Sequence, residues 1–114
     1  MSSNLSDKKC IACEGGVPPL TSLEITEFQE QLSIPWKVEG VKKITREFKF
    51  KDFKQAMDFV NRIAEIAEAE SHHPDLRISY NKVAVELWTH AIGGLSENDF
   101  IMAAKIEKIV PLVV

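Results

Sequence analysis

Two different periods of apolar and polar residues divide the chain into short elements. In Ile44-Thr-Arg-Glu-Phe-Lys-Phe50 the apolar residues fall at 44, 48 and 50, on one parity, against Thr45, Glu47 and Lys49 on the other. A period of two predicts a half-buried strand. Arg46 breaks the parity and is expected near an edge or an end. From Asp52 the period changes. Phe53, Met57, Val60, Ala64 and Ala67, with Ala56 and Ile63 beside them, mark one face of a helix of about five turns. Asp52 is placed to cap its start, and Asp58, Asn61, Arg62, Glu65 and Glu68 lie largely away from that face. Residues 76–80 then predict a short strand and residues 83–89 a longer one, with Val83, Val85 and Leu87 on one face and Glu86, Trp88 and His90 on the other parity. Only Asn81-Lys82 separates the two, which makes a hairpin.

The flanking segments complete the order. Thr21 or Ser22 caps a short helix carrying Leu23, Phe28 and Leu32, with Pro35 past its end. Trp36-Lys-Val-Glu39 predicts the first strand, and Gly40 a turn. Near the C-terminus, Ser96-Glu-Asn-Asp99 is a capping-box pattern with Asp in place of Glu. It opens a helix on which Met102, Ala103, Ile106, Ile109 and Val110 are apolar, and Pro111 is expected to stop it. Hairpins joined through a helix, in the order α-β-β-α-β-β-α, predict an α+β domain. Its four-stranded antiparallel sheet would carry three helices packed on one face. Residues 1–20 are polar and then rich in Gly-Gly and Pro-Pro, and read as an extended N-terminal arm ahead of a single domain over residues 21–114.

Composition narrows the function classes. A chain of 114 residues that is 45% hydrophobic can build one packed core. Its net charge of -3 argues against a nucleic-acid backbone as the main ligand. No apolar run approaches the roughly 20 residues that a membrane span needs. The polar start lacks the hydrophobic segment of a secretory signal, so a cytoplasmic domain is expected. Cys10 and Cys13 form a lone C-x-x-C without the further ligands of a structural zinc site. Gly-Gly and Pro-Pro follow it, where a thioredoxin-like motif would open a helix. The pair reads chiefly as reduced thiols in a surface arm.

The chemistry concentrates where the long helix must stop, at Glu68-Ala-Glu-Ser-His72-His73-Pro74-Asp75. Pro74 pushes His73 out of helical geometry, and His72 lies in or next to the last turn. Glu68, four residues earlier, shares a helix face with His72. A carboxylate that holds an imidazole is how a general acid or base is built; a solvated helix end fits these eight residues equally well. The third histidine, His90, ends the last strand, and the topology can return it toward His72. A metal set of Glu68, His72 and His90 has the composition of a two-His, one-carboxylate site, but no second carboxylate at ligand spacing supports it. There is no phosphate-binding glycine motif. Asp99 is accounted for as a cap partner, and Trp36, Tyr80 and Trp88 as packing residues.

Taken together, Glu68-x3-His72-His73-Pro74, Tyr80-Asn-Lys-Val83, Thr89-His90, Gly94-Leu-Ser96 and Asp99 resemble the pterin-4a-carbinolamine dehydratase family. Phe48-x-Phe50-x-Asp52-Phe53, Ala56 and Trp36 fit the same pattern, and the Cys10–Leu20 segment resembles the arm of bacterial members. The resemblance implies the α+β fold above, assembled as a dimer or tetramer. The implied reaction is that of a hydro-lyase removing water from 4a-hydroxytetrahydrobiopterin to give quinonoid dihydropterin, which recycles the cofactor of an aromatic amino acid hydroxylase. By carry-over, His72 and His90 are the acid/base pair and Glu68 orients His72. His73 holds the pterin, with Pro74 and Trp36 in its site, and Asp99 supports His90 or the shape of the site. No metal or further cofactor is implied, since the pterin is the substrate. Ser71 departs from the Asp or Asn that many members carry before the histidine pair. Some animal relatives bind a homeodomain transcription factor, so the alternative is a non-catalytic module, either a transcription-factor dimerisation cofactor or a hydroxylase accessory protein.

Overall fold

The structure, a computed structural model, describes residues 5–11 and 18–113. Three helices, α1 (Ser22–Gln29), α2 (Phe53–Glu70) and α3 (Glu97–Val113), are combined with four strands, β1 (Lys37–Glu39), β2 (Lys43–Lys49), β3 (Asp75–Ser79) and β4 (Lys82–Leu87). The strands form one antiparallel sheet in the order β1-β2-β4-β3. The α+β arrangement read from the sequence is therefore the one observed.

Local chemistry explains the helix starts. Thr21 and Glu24 form a reciprocal capping box at α1, and Asp52 accepts the Gln55 N–H at 2.9 Å to cap α2. At α3 only half of the expected box forms. Asp99 accepts the Ser96 N–H at 3.0 Å, whereas the Ser96 hydroxyl lies 2.7 Å from that of Thr89. Pro111 does not stop α3, which continues to Val113. A proline in the last turn removes one hydrogen bond there and leaves the preceding helix intact.

The core lies between the inner face of the sheet and α2 and α3. Ile44, Phe48, Val83, Val85 and Leu87 pack against Ala56, Phe59 and Ile63 of α2 and Phe100, Met102 and Ile106 of α3. On α2 the buried stripe is Ala56, Phe59, Ile63 and Ala67, while Phe53 and Ala64 are exposed. The helix is thus rotated from the face expected for it. Phe59, which that reading omits, sets the rotation by fitting between Phe48 and Phe50, 4.9 Å from each ring. The outer face of the sheet is polar: Glu86 accepts from Lys43 at 3.4 Å and from Arg77 at 3.1 Å. Arg46 sits just past the end of β1, whose pairing stops at Thr45, and donates to the Pro35 carbonyl at 2.6 Å.

Two departures from the expected elements matter for the site. Strand β4 ends at Leu87, and His90 opens a turn of 3-10 helix, His90–Ile92, instead of ending the strand. A bridge between Thr89 and Gly94 closes that loop. A side chain at Gly94 would collide with Pro19, whose Cβ lies 2.7 Å from the position a Cβ would take. The N-terminal segment also differs from a simple extended arm. Residues Leu5–Asp7 form a 3-10 turn, Leu5 is buried, and Lys105 donates to the Ser6 carbonyl at 2.9 Å. Cys13 lies outside the described residues. Among those described, no helix is long and apolar enough to cross a membrane.

Candidate active site

Asp99, in the first turn of α3, has no exposed surface. A buried carboxylate is costly unless donors surround it, and this one has three. Its Oδ2 accepts from the Thr89 hydroxyl at 2.8 Å and from the Ser96 N–H at 3.0 Å, and its Oδ1 lies 2.7 Å from His72 Nε2. An ionised carboxylate only accepts, so the His72 proton facing it sits on Nε2. The ring's Nδ1 is then left to take up or deliver a proton. The His72 side chain is 12% exposed, enough to reach a ligand while its geometry is held from behind.

The turn that creates this pair is local. Ser71 ends α2 in the left-handed region, with φ of 53°. This conformation is uncommon for a residue other than glycine. It swings His72 off the helix toward α3, and the His72 N–H returns to the Ala67 carbonyl at 3.2 Å. The expected Glu68–His72 pairing is therefore not formed. Glu68 instead meets His73, with Oε2 2.6 Å from Nε2. Both of these side chains are largely exposed, at 78% and 59%, so the contact orients His73 and adds about 0–1 kcal/mol to stability.

His90 is exposed and stacks on Trp88, with ring centroids 3.7 Å apart and planes 28° from parallel. Trp88 Nε1 donates to Asp75 at 3.3 Å, tying the stack to the start of β3 just after the half-buried Pro74. The two ends of the site are connected through Thr89. Its hydroxyl bonds the carboxylate that holds His72, and the next residue in the chain is His90. From the sequence, Thr89 enters only as part of the family motif, Trp88 only as a packing residue and Asp75 only as the end of the histidine segment, and none of the three is given a role in the site. The shared parity of Trp88 and His90 was the available signal for the stack. Trp36 is not brought to this region. It is 2% exposed in the core, edge-on to Phe48, and its indole donates to Glu107, two turns of α3 beyond Asp99. Among the described residues no three His, Cys, Asp or Glu side chains converge as ligands for a metal ion.

A cavity of about 320 Å³ adjoins His72 and is bordered by Ser71, Cys10, Ile11 and Asn98. The Cys10 thiol, 3.7 Å from the Asn98 carbonyl oxygen, has its pKa pushed up from 9.0 to about 12, first by burial and then by the Glu70 carboxylate. Glu70 is held below its ordinary pKa, chiefly because it accepts the Cys10 N–H. A raised pKa in the folded state contributes stability below the unfolded pKa and loses it as pH rises through the folded value. For Glu70 the sign is opposite, and its contribution falls away as pH drops below 4.5. Docking of the N-terminal segment is therefore expected to weaken both in acid and above pH 9. At pH 8 Cys10 should therefore stay almost wholly in its thiol form, so alkylation by iodoacetamide is expected to be slow. Peptide mapping distinguishes Cys10 from Cys13, and labelling of Cys10 as fast as an unfolded control would contradict this environment.

The family model for pterin 4 alpha carbinolamine dehydratase matches residues 18–109. A relative from Rickettsia canadensis, provisionally named a pterin-4-alpha-carbinolamine dehydratase, is 54% identical over 90% of this chain and 94% of its own length. One from Alkaliphilus metalliredigens, named in the same way, is 51% identical over 93% and 96%. The crystal structure of a transcriptional coactivator/pterin dehydratase from Brucella melitensis superposes with a TM-score of 0.75 at 42% identity, covering 80% of this chain and 97% of that one. A pterin dehydratase-like protein identified as a RuBisCO assembly factor of the alpha-carboxysome shares the fold alone, at 19% identity and a TM-score of 0.59. An α+β sheet domain with a buried carboxylate behind an imidazole is thus what this chain has in hand. It belongs to the pterin carbinolamine dehydratase family.

Proposed function

We propose that the protein dehydrates 4a-hydroxytetrahydrobiopterin to quinonoid dihydropterin. The observation that carries this reading is the His72–Asp99 pair: an imidazole fixed by a fully buried carboxylate, with one nitrogen left for proton transfer. Loss of water from this substrate breaks the C4a–O bond, and the N5–H electrons form the C4a=N5 bond. One proton goes to the departing oxygen and one leaves N5, so the substrate divides into product and water. His72 and His90 carry these two transfers. His73, oriented by Glu68, contacts the pterin, and Pro74 fixes the turn between the histidine pair and β3. Asp99 acts behind His72. Glu68 keeps a place in the site through His73, and Trp36 belongs to the core.

The pterin is the substrate, and proton transfer between it and the two imidazoles requires no further cofactor. The product feeds tetrahydropterin recycling after an aromatic amino acid hydroxylase, in a cytoplasmic homo-oligomer. A second reading, a protein-binding role beside catalysis, is favoured by the Brucella melitensis relative, which is described as a coactivator as well as a dehydratase.

The test is the rate at which freshly generated 4a-hydroxytetrahydropterin loses water with and without the purified protein. Acceleration is expected, and it should survive exhaustive treatment with chelator. A rate that disappears on chelation and returns with added zinc or iron would replace imidazole catalysis by a metal mechanism.

A further inference from the structure

His72 follows the left-handed Ser71 just past the end of α2 and Asp99 lies in the first turn of α3, and residues beside each of them anchor the N-terminal strap. Asn98, buried and next to Asp99, clamps Ile11 in both directions: its Oδ1 accepts the Ile11 N–H at 2.9 Å, and its Nδ2 donates to the Ile11 carbonyl. Glu70, two residues before His72, accepts the Cys10 N–H at 2.8 Å. Lys105 braces the arrangement, with Nζ 3.7 Å from Glu70 and 2.9 Å from the Ser6 carbonyl oxygen. Leu5 closes the strap into the core. Polar chain ends are poorly ordered unless tied down, and here the ties fall one and two residues from the members of the pair. Cys10, Ile11 and His72 also border one cavity.

We propose that the strap of residues 5–11 is a positioning element of the site, acting through Asn98 and Glu70 to hold Asp99 against His72 and walling the space beside the imidazole. Asn98 and Glu70 are then positioning residues that do not touch substrate. Only the kinetic part of this inference rests on the dehydratase reading.

The test uses the full chain with Asn98→Ala, and with Glu70→Ala as a second variant that removes the other anchor. Three quantities are read: hydrogen exchange at the Cys10 and Ile11 amides, the NMR signal of the His72 Nε2 proton, and kcat with KM. Faster exchange at both amides is expected, together with broadening of the imidazole signal. A fall in kcat on the order of 10- to 100-fold with little change in KM should accompany them, since small misplacements of catalytic groups cost rate. Glu70→Gln, which keeps an acceptor for the Cys10 N–H, should restore most of kcat. If the strap amides exchange freely while the His72 signal and kcat stay at wild-type values, the strap is only structural and the proposal is wrong. Should Asn98→Ala fail to fold, the Glu70 pair decides the matter by the same readouts. An inactive wild-type protein would refute the dehydratase reading, while amide exchange and the imidazole signal would still judge the strap.

Discussion

Replacing His72 and His90 together by alanine is expected to bring the dehydration rate down to nearly that of the uncatalysed reaction. A positioned acid or base typically contributes about 10²–10⁴-fold. The adduct also loses water unaided, so the loss is read against a measurable background. Each single variant should already forfeit most of the acceleration, because donor and acceptor act in one step and removal of either disables both. His73→Ala should behave differently. Its ring is paired with Glu68 at the exposed end of α2, and its loss should raise KM more than it lowers kcat. The comparison separates proton transfer from substrate contact. A double variant with the wild-type rate would remove both histidines from the mechanism.

The fold was legible because each element carries its own period. The alternation of residues 44–50 and 83–87 and the helical stripe between them were sufficient to give the element order and an antiparallel sheet, whereas the strand order β1-β2-β4-β3 comes from the structure. The rotation of α2 was less legible, because apolar residues occupy two adjacent stripes and only the aromatic pocket of Phe48 and Phe50 selects Phe59. Partner choice within the site was not legible. Spacing at i, i+4 put Glu68 beside His72, which assumes that the helix continues through residue 72. The left-handed Ser71 ends it one residue earlier and exchanges the partners. Asp99 was visible as a cap, and it does accept the Ser96 N–H. That the same carboxylate also meets an imidazole 27 residues away is a tertiary fact with no local signature. Trp36 shows the converse, since its place near a family motif said nothing of an indole buried against Glu107.

Asp99 is the position at which stability and chemistry should come apart most clearly. Asp99→Ala leaves the Thr89 hydroxyl, the Ser96 N–H and the His72 Nε2–H without their shared acceptor. Removing one partner of a buried charged network costs about 3–5 kcal/mol. For a domain of this size that should lower the melting temperature by roughly 10–20 °C. Asp99→Asn preserves the shape and is expected to fold with a far smaller loss. Its amide must nevertheless choose. The Ser96 N–H is fixed in the backbone and requires the carbonyl oxygen, so the NH2 group turns toward His72. Nε2 then becomes the acceptor, and the ring proton moves to Nδ1, the nitrogen that the native pair keeps available. The variant should therefore be well folded and lose about 10²–10⁴-fold in kcat, with the inverted tautomer visible in the ¹⁵N shifts of His72. A well-folded Asp99→Asn protein with native kcat would mean that the tautomer is irrelevant, and that Asp99 serves only as the cap the sequence makes it.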